Sequence, residues 1–313
     1  MREHLNSKSK NKNKYKKLSC PNCNSRNVIK RGFRKTENRG KIQRYSCKEC
    51  NYRFVRDEGF YRMRNSPQKI TLCLDLFFRG ISTRKIQEHL QAFYPKNASW
   101  VSIYFWVIKY PKIISKFTNN LKLNVGQEVQ VDEIEYHRRK SHKRKLGIDK
   151  NWFIDSIDRE TKFMVASAYE ESREKENLKR ILKDIKDKTE NQIKIITTDG
   201  LTAYTNIVKK TFGYNNKERI YKIKHKVVNA SQGEGFNHPI ERLHNSIRHR
   251  TKTFRGFHGN IDSAKAIMKG IEIYYNFITK HQAINCCPYE LATDLKFKTS
   301  NKWLELIKLS ISR

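Results

Sequence analysis

Three acidic residues occupy positions where a carboxylate contributes little to stability but can bind a ligand. Asp132 lies among β-branched residues in a predicted strand, Asp199 ends a later apolar strand before a glycine, and Glu241 lies in the first turn of a predicted helix. Strand interiors disfavour Asp, whereas the carboxyl ends of strands are where α/β sheets place their ligands. Converging carboxylates repel each other unless cations neutralise them, and oxygen ligands suit Mg²⁺ or Mn²⁺. We therefore predict that these three residues bind catalytic Mg²⁺ or Mn²⁺.

Each of these acids also has an ordinary structural explanation. Asp-Gly is a frequent turn, a glutamate in the first helical turn interacts favourably with the helix dipole, and an Asp in a strand can face solvent. Glu234 is the strongest alternative to Glu241 as the third ligand. The neighbouring carboxylates that stay open as alternatives are Glu133, Asp155, Asp158 and Glu234.

Four of the seven cysteines form a second metal-binding pattern, the pairs Cys20-x-x-Cys23 and Cys47-x-x-Cys50. Between the pairs, residues 28–35 and 41–47 are predicted strands of a hairpin, and residues 52–55 can add a third strand. Two such knuckles bring four thiolates to one tetrahedral Zn²⁺, and a domain this small has too little core to fold without it. Because cysteine fills every ligand position, we predict one structural zinc ion. A redox pair and unrelated cysteines are the alternatives.

The charge of the chain indicates a polyanionic partner. Among 313 residues, 66 Lys and Arg stand against 31 Asp and Glu, which gives a net charge of +35. This excess favours nucleic acid, although a lysine-rich proteome with solvated surfaces explains part of it. No apolar run approaches the roughly 20 residues needed to cross a bilayer, and the N-terminus lacks the apolar segment of a secretory signal. We expect a cytoplasmic, nucleoid-associated protein with no membrane contact.

Residues 66–110 are predicted to be helical. Ser82 and Ser99 are placed to cap the second and third helices, and Pro111 is predicted to end the third. Three short helices beside a zinc ribbon favour a helix-turn-helix DNA-binding domain. A plain three-helix packing unit is the alternative.

From about residue 126 the pattern changes to strands followed by helices. Strands at 128–136, 152–157 and 162–169 precede a helix capped by Ser172, a strand at 193–197, a helix at 201–212, a strand at 219–228, and helices that begin at Pro239 and Asp262. This order is that of a ribonuclease-H-like α/β domain, a mixed sheet flanked by helices. The predicted layout is a basic disordered tail at 1–18, a zinc ribbon at 19–56, a helix-turn-helix domain at 60–112, a linker at 113–125, the α/β catalytic domain at 126–285 and a C-terminal tail at 286–313.

Several short motifs around the three acids resemble those of one enzyme family. They are Val131-Asp132-Glu133, Thr198-Asp199-Gly200 with Ala203-Tyr204, Asn237 through Glu241, then His244, Arg248, Arg250 and Phe254-Arg255-Gly256-Phe257. Over roughly residues 66–292 the chain resembles the DDE insertion-sequence transposases, and most closely the insertion-sequence-six family of bacteria and archaea. The 41 residues between Asp199 and Glu241 exceed the usual interval in that family, which predicts an insertion around residues 214–219. The zinc ribbon is a second departure, since it is not universal in the family.

The resemblance also implies roles for basic residues near the acids. The family carries a basic residue where Arg248 stands, seven positions after Glu241, which implies contact with a DNA end beside the metals. Between the first two strands, six of the eight residues 138–145 are basic. This tip is predicted to follow a phosphate backbone, with a solvated loop as the alternative. The predicted DNA contacts are Arg248, Arg250, Arg138, Arg139, Lys143 and Arg144.

The resemblance implies a transposase that binds the ends of a mobile element, cleaves DNA and joins the freed strand to a target. Two metal ions would support this reaction without a covalent enzyme intermediate, and holding two ends together implies a homodimer or larger assembly. The alternatives are a tyrosine or serine recombinase, which forms a covalent protein–DNA link, and a catalytically inactive zinc-ribbon and helix-turn-helix DNA-binding protein. The intact acidic triad argues against both.

Overall fold

The computed structural model describes residues 18–94, 98–139, 148–190, 192–228, 238–252, 257–258 and 260–311. These residues divide into two compact units, one within residues 1–66 and one over Pro67–Ser310. Several features of interest lie outside the described residues, among them most of the basic tail, Lys143, Arg144 and Glu234. Within the described part, no helix is long and apolar enough to cross a membrane.

The first unit is built on a three-stranded antiparallel sheet of β1 (Val28–Thr36), β2 (Gly40–Cys47) and β3 (Arg53–Val55). The hairpin and third strand predicted from the sequence are confirmed. The chain reverses where Thr36 pairs with Gly40, and Gly40 adopts a φ of +65°, which glycine tolerates without steric cost. Among residues 18–56 only Cys20, Ser46 and Cys47 are buried, so this sheet has almost no apolar core.

The second unit begins with three helices, two of which start as predicted. Ser82 Oγ accepts a hydrogen bond from the backbone N–H of Lys85, and Ser99 Oγ accepts one from that of Ser102. Each serine thereby satisfies a backbone donor that the helix leaves unpaired. The three helices are α1 (Pro67–Phe78), α2 (Thr83–Phe93) and α3 (Trp100–Thr118).

The predicted end of the third helix at Pro111 is wrong, because α3 continues through it to Thr118 and includes the start of the predicted linker. Proline has no N–H and removes one helical hydrogen bond. Pro111 is nevertheless buried beside α7 (Ile261–Ile273), where Gly270 leaves room for it. A Cβ at Gly270 would lie 3.0 Å from Pro111 Cγ and 2.1 Å from Phe78 Cζ. Close packing of the helices thus outweighs the loss of one backbone hydrogen bond.

The centre of the second unit is a mixed sheet flanked by helices, which fits the ribonuclease-H-like fold. Its strands are β4 (Glu128–Arg139), β5 (Ile148–Asp158), β6 (Met164–Glu170), β7 (Ile195–Thr198), β10 (Lys224–Val227) and the short β11 (Phe257–His258). The strand order is β10-β7-β4-β5-β6, and β11 pairs in parallel with the end of β4. The strands β4, β5 and β6 are antiparallel neighbours, whereas β7 is parallel to β4 and β10 is parallel to β7.

The predicted strand at 219–228 is divided in the structure. Its first part, β9 (Ile220–Tyr221), pairs with β8 (Tyr214–Asn215) in a small hairpin, and only its second part, β10, joins the large sheet. This hairpin occupies the segment where the sequence predicts an insertion.

The remaining helices of the described chain bring two further corrections. Ser172 does not cap the helix after β6, since the N-cap is Glu174, and Ser172 Oγ instead accepts a hydrogen bond from Asn177 Nδ2. The predicted C-terminal tail contains a packed helix, α9 (Lys302–Ile311), in which Trp303 is buried. The Trp303 ring stacks on Phe78, with ring centroids 5.3 Å apart. The helices are α4 (Lys175–Thr189), α5 (Ala203–Phe212), α6 (His238–Thr251), α7 with the π-helical turn Tyr274–Ile278 after it, α8 (Pro288–Ala292) and α9 (Lys302–Ile311).

Candidate metal centres

The four cysteines of the first unit converge on one point. Cys20 Sγ lies 3.5 Å from Cys50 Sγ, and Cys23 Sγ lies 3.5 Å from Cys47 Sγ. All four sulfurs lie within 4.8 Å of one another. Tetrahedral zinc with bonds of about 2.3 Å places its sulfur ligands roughly 3.8 Å apart. The spacing and the all-sulfur donor set therefore fit a closed tetrahedral zinc site.

Backbone amides around the cysteine pairs favour the thiolate form, which is the form that binds metal. The backbone N–H of Tyr52 is the largest cause that lowers the pKa of Cys50, to about 6. The backbone N–H of Cys50 in turn lowers the pKa of Cys47. The backbone N–H of Asn22 points at Cys20 Sγ, 3.4 Å away. The two turns thus supply hydrogen bonds that stabilise negative sulfur.

A second cluster of possible metal ligands lies at one edge of the large sheet. Asp132 and Glu133 belong to β4, and Asp199 follows the last residue of β7. One carboxylate oxygen from each lies within 4.8 Å of the others. The two strands are parallel, and Gln130 of β4 pairs with Thr197 of β7, so Asp132, two residues further along β4, lies level with Asp199 at the end of β7. The structure therefore brings together Asp132 and Asp199, which the sequence places more than sixty positions apart.

Glu133 joins this cluster although neighbouring residues of a strand normally face opposite sides of the sheet. The pairing of β4 with β7 ends at Gln130, so the following residues of β4 lie beyond that partner strand. Asp132 Oδ1 turns back to accept a hydrogen bond from the backbone N–H of Glu133, at 2.8 Å. The Glu133 carboxylate is held in turn by the hydroxyl of Tyr204, which donates a hydrogen bond to it. From the sequence, Glu133 is only one of the alternatives to the three predicted ligands.

Burial and mutual repulsion dominate the electrostatics of this cluster, although His244 and Tyr204 offset part of both. Burial raises the pKa of Asp132 to about 6, and the nearby carboxylates of Asp155 and Asp199 add to the shift. Burial also raises the pKa of Glu133 to about 7, with Asp199 and Asp132 contributing. A bound cation favours the ionised carboxylates and would reverse both shifts. The hard oxygen donors fit Mg²⁺ or Mn²⁺ rather than a softer metal.

A buried histidine connects Asp132 to a second aspartate. Asp132 and Asp155 are directly opposite on β4 and β5, and so lie on the same face. His244 from α6 lies between them, with Nε2 at 2.8 Å from Asp155 Oδ1 and Nδ1 at 3.6 Å from Asp132 Oδ2. Burial alone would lower the pKa of His244, but the two carboxylates outweigh it and raise the pKa. The two carboxylates therefore favour the protonated imidazole, and its contacts place it to orient Asp132.

Glu241 lies on α6 three residues before His244, one helical turn away on the same side. The start of α6 is fixed to the sheet, because the backbone N–H of Ile240 donates to Gln130 Oε1 on β4, at 3.3 Å. Glu241 is half-buried. Among the described residues the close acidic group holds Asp132, Glu133 and Asp199, and Glu241 lies outside it. The assignment of the third ligand to Glu241 stays a prediction.

The basic residues of the predicted DNA surface differ in their surroundings. Arg248 is exposed, and its charge acts on Asp155 and His244. Arg250 is half-buried, with its guanidinium 4.6 Å above the ring of Tyr274. Arg138 and Arg139 end β4, where the chain pairs with β11. Their roles in DNA binding stay predictions.

Residues 148–282 match the family model described as a DDE domain, the catalytic domain of insertion-sequence transposases. The matched segment contains Asp199, Glu241, Asp155 and His244, and begins after Asp132. No curated protein matches the chain. Together with the mixed sheet flanked by helices, the match supports a DDE transposase, a class of enzyme that acts on DNA and uses divalent metal ions.

Proposed function

We propose that this chain is the transposase of an insertion sequence, closest to the insertion-sequence-six family, and that it carries out metal-dependent cleavage and strand transfer at the ends of the element. The observation that supports the proposal is the meeting of Asp132 on β4 with Asp199 at the end of the parallel strand β7, in a chain whose residues 148–282 match a DDE domain. The mobile-element ends would be brought together by a homodimer or larger assembly, in the cytoplasm at the nucleoid.

The residues proposed to hold two Mg²⁺ or Mn²⁺ ions are Asp132, Asp199 and Glu241. When bound, such ions activate the attacking oxygen and stabilise the leaving oxygen of a phosphodiester. The fit rests on the donor chemistry, because three half-buried carboxylates offer only oxygen ligands. Glu241 would complete the site from α6, whose first turn is fixed to β4 through Gln130.

The surrounding residues of the chain position these carboxylates. His244 is held by the buried Asp155 and directs its other ring nitrogen at Asp132. Tyr204 donates to Glu133 and so fixes the second acid of β4. Orienting a ligand through its neighbours in this way typically changes metal affinity or activity by 10- to 100-fold. We propose that His244, Asp155 and Tyr204 are positioning residues.

We propose one structural Zn²⁺ per chain, held by Cys20, Cys23, Cys47 and Cys50. The sulfur spacing and the backbone N–H groups directed at the thiolates support it. The proposed domain layout follows the sequence, with the zinc ribbon at 19–56, a helix-turn-helix domain at 60–112 and the catalytic domain at 126–285. Element-end binding would use Arg248, Arg250, Arg138 and Arg139, with Lys143 and Arg144 in the adjoining loop, in keeping with the net charge of +35.

The proposal is tested with DNA that carries the sequences flanking the gene, incubated with purified protein and Mg²⁺ or Mn²⁺. We expect cleavage and joining by the unaltered chain, and loss of both with Asp132→Asn or Asp199→Asn. Glu135→Gln is the matched control, because Glu135 lies on the same strand, is exposed and pairs with Lys150 at 3.4 Å. Full activity of both aspartate variants would overturn the proposal.

A further inference from the structure

The zinc-ribbon sheet has one face that combines aromatic and basic side chains. Paired residues of antiparallel strands lie on the same face, and the register pairs Lys30 with Tyr45, Phe33 with Gln43, and Tyr45 with Phe54. Because residues two apart on β2 also share a face, these groups lie together. We call this the aromatic face; it comprises Lys30, Phe33, Lys35, Lys41, Gln43, Tyr45 and Phe54, with Tyr52 beside them.

Three aromatic rings of this face stack in a row, and the outer ring of that row and Phe33 are exposed. Tyr45 stacks on Phe54 with ring centroids 5.8 Å apart, and Phe54 stacks on Tyr52 at 6.3 Å. Tyr52 is 47% exposed and Phe33 is 65% exposed. Exposed apolar side chains grouped on one surface mark binding sites, whereas single ones do not. Nothing in the folding of the ribbon itself explains the exposure of Phe33.

The side chain of Gln43, opposite Phe33, is hydrogen-bonded to the backbone. Gln43 Nε2 donates to the backbone oxygens of Gly32, at 2.8 Å, and Arg44, at 2.9 Å. The amide therefore bonds to the backbone and leaves the Phe33 ring open. A β-bulge lies just before Phe33, between Lys30 and Phe33, and bulges commonly re-aim a side chain.

The charges of the ribbon identify the chemistry of the partner. Residues 18–56 contain eleven Lys and Arg against two Asp and Glu, a net +9 before any metal is counted. Lys35 and Lys41 are directly opposite each other at the end of the hairpin, an arrangement in which like charges destabilise the sheet. A bound anion relieves this repulsion. A polyanion with flat apolar groups fits both the lysines and the rings.

We propose that the aromatic face binds single-stranded DNA, with bases stacked on Phe33 and Tyr52 and the phosphate backbone held by Lys30, Lys35 and Lys41. Proteins that bind single strands combine aromatic platforms with basic residues in this way, and bases can stack on a side chain only where they are unpaired. The inference rests on the proposed function for the source of the strand, since cleavage at an element end exposes unpaired nucleotides. It assigns the ribbon a binding role in addition to the structural role of its zinc.

The test measures the affinity of the full zinc-loaded chain for a fluorescein-labelled oligodeoxythymidine and for a duplex of equal length. No Mg²⁺ or Mn²⁺ is added, so the result does not depend on whether the protein cleaves DNA. The variants are Phe33→Ala, Tyr52→Ala and Phe33→Trp. Ile29→Ala is the matched control, because Ile29 is also an exposed apolar residue of β1, at 42%, but it pairs with Ser46 and lies on the opposite face.

We expect Phe33→Ala to weaken single-strand binding about 10-fold, the loss typical of one stacked base, and Tyr52→Ala to weaken it several-fold. Phe33→Trp should retain affinity, and Ile29→Ala should change it less than about 2-fold. Replacing Lys35 and Lys41 by Gln should reduce the salt dependence by about 0.7 per lost phosphate contact, while Phe33→Ala leaves it unchanged. Equal effects of Phe33→Ala and Ile29→Ala would overturn the inference, as would equal losses on single-stranded and duplex DNA.

Discussion

The two metal-ligand clusters of this protein are built in opposite ways. The four cysteines come in two pairs, each separated by two residues, on a small sheet in which almost nothing else is buried. The acidic cluster draws residues from distant parts of the chain onto a sheet with an extensive apolar core. The four sulfurs are spaced to enclose an ion, whereas the acids are half-buried beside the end of β7. A metal bound by the cysteines would substitute for a core in the first unit, whereas the second unit already has an apolar core around its acidic cluster.

The largest effect expected from this difference is on stability after loss of zinc. Cys47→Ser removes one of four ligands, and binding of structural zinc supplies about 10 kcal/mol or more of folding free energy in domains of this kind. Residues 18–56 should unfold while the unit over Pro67–Ser310 keeps its melting transition. Elemental analysis should find about one zinc per unaltered chain and much less in the variant. Protection of the β1 and β2 amides from hydrogen exchange in metal-free protein would contradict this prediction.

The second-largest expected effect distinguishes Glu241 from Glu133 as the third acidic ligand. Glu241→Gln should lower cleavage at least about 10³-fold, because a lost metal ligand removes several kcal/mol of transition-state stabilisation. Glu133→Gln should lower the cleavage rate only about 10-fold, because we expect Glu133 to act on the metal site through its charge and not as a ligand. Its carboxylate already accepts a hydrogen bond from Tyr204. Rates are measured under single-turnover conditions with Mn²⁺. A reversed order would make Glu133 the ligand and Glu241 the supporting residue.

A smaller effect is expected from the group that orients Asp132. His244→Gln should weaken Mn²⁺ binding and activity by 10- to 100-fold, because the imidazole no longer fixes the Asp132 carboxylate. Asp155→Asn keeps an acceptor for His244 and should retain more activity than Asp155→Leu. Mn²⁺ affinity is followed by electron paramagnetic resonance, which a purely structural role would not alter in a folded variant. Unchanged Mn²⁺ affinity in folded His244→Gln would remove His244 from the site.

The smallest effect concerns the pH dependence of stability. The pKa of Asp132 is about 6 and that of Glu133 about 7, both above their unfolded values. Between the unfolded and folded pKa values the native state holds more protons than the unfolded state. The free energy of unfolding therefore falls as pH rises from about 4 to 7. Zinc-loaded protein without Mg²⁺ should melt at a lower temperature at pH 8 than at pH 5, with a smaller difference in Asp132→Asn. Adding Mn²⁺ at pH 8 should restore stability, and the absence of any such recovery would argue against cation binding.

Local sequence determined much of this protein. The hairpin of the ribbon, the serine caps of α2 and α3, and the order of strands and helices in the second unit follow from turn residues, capping and periodicity, which act over a few positions. The cysteine cluster is of the same kind, because its ligands are close in sequence. The predictions that proved wrong also rested on local rules. Pro111 does not end α3 and the last segment is not a tail, because packing against Gly270 and Phe78 outweighs the local preference. Ser172 does not cap α4, because its hydroxyl accepts a hydrogen bond from Asn177 and the N-cap is Glu174.

Only the tertiary structure decided which acids lie together and what holds them. The sequence identified Asp132 and Asp199 from their places in predicted strands and left Glu133 as one alternative among four. Glu133 joins the cluster where β4 extends past the end of its pairing with β7. No periodicity could show that His244 lies between Asp132 and Asp155, since His244 is 89 residues after Asp155 in the chain. Periodic patterns report which face of an element is buried. The distance between side chains on different elements depends on strand register and helix placement, which are properties of the whole fold.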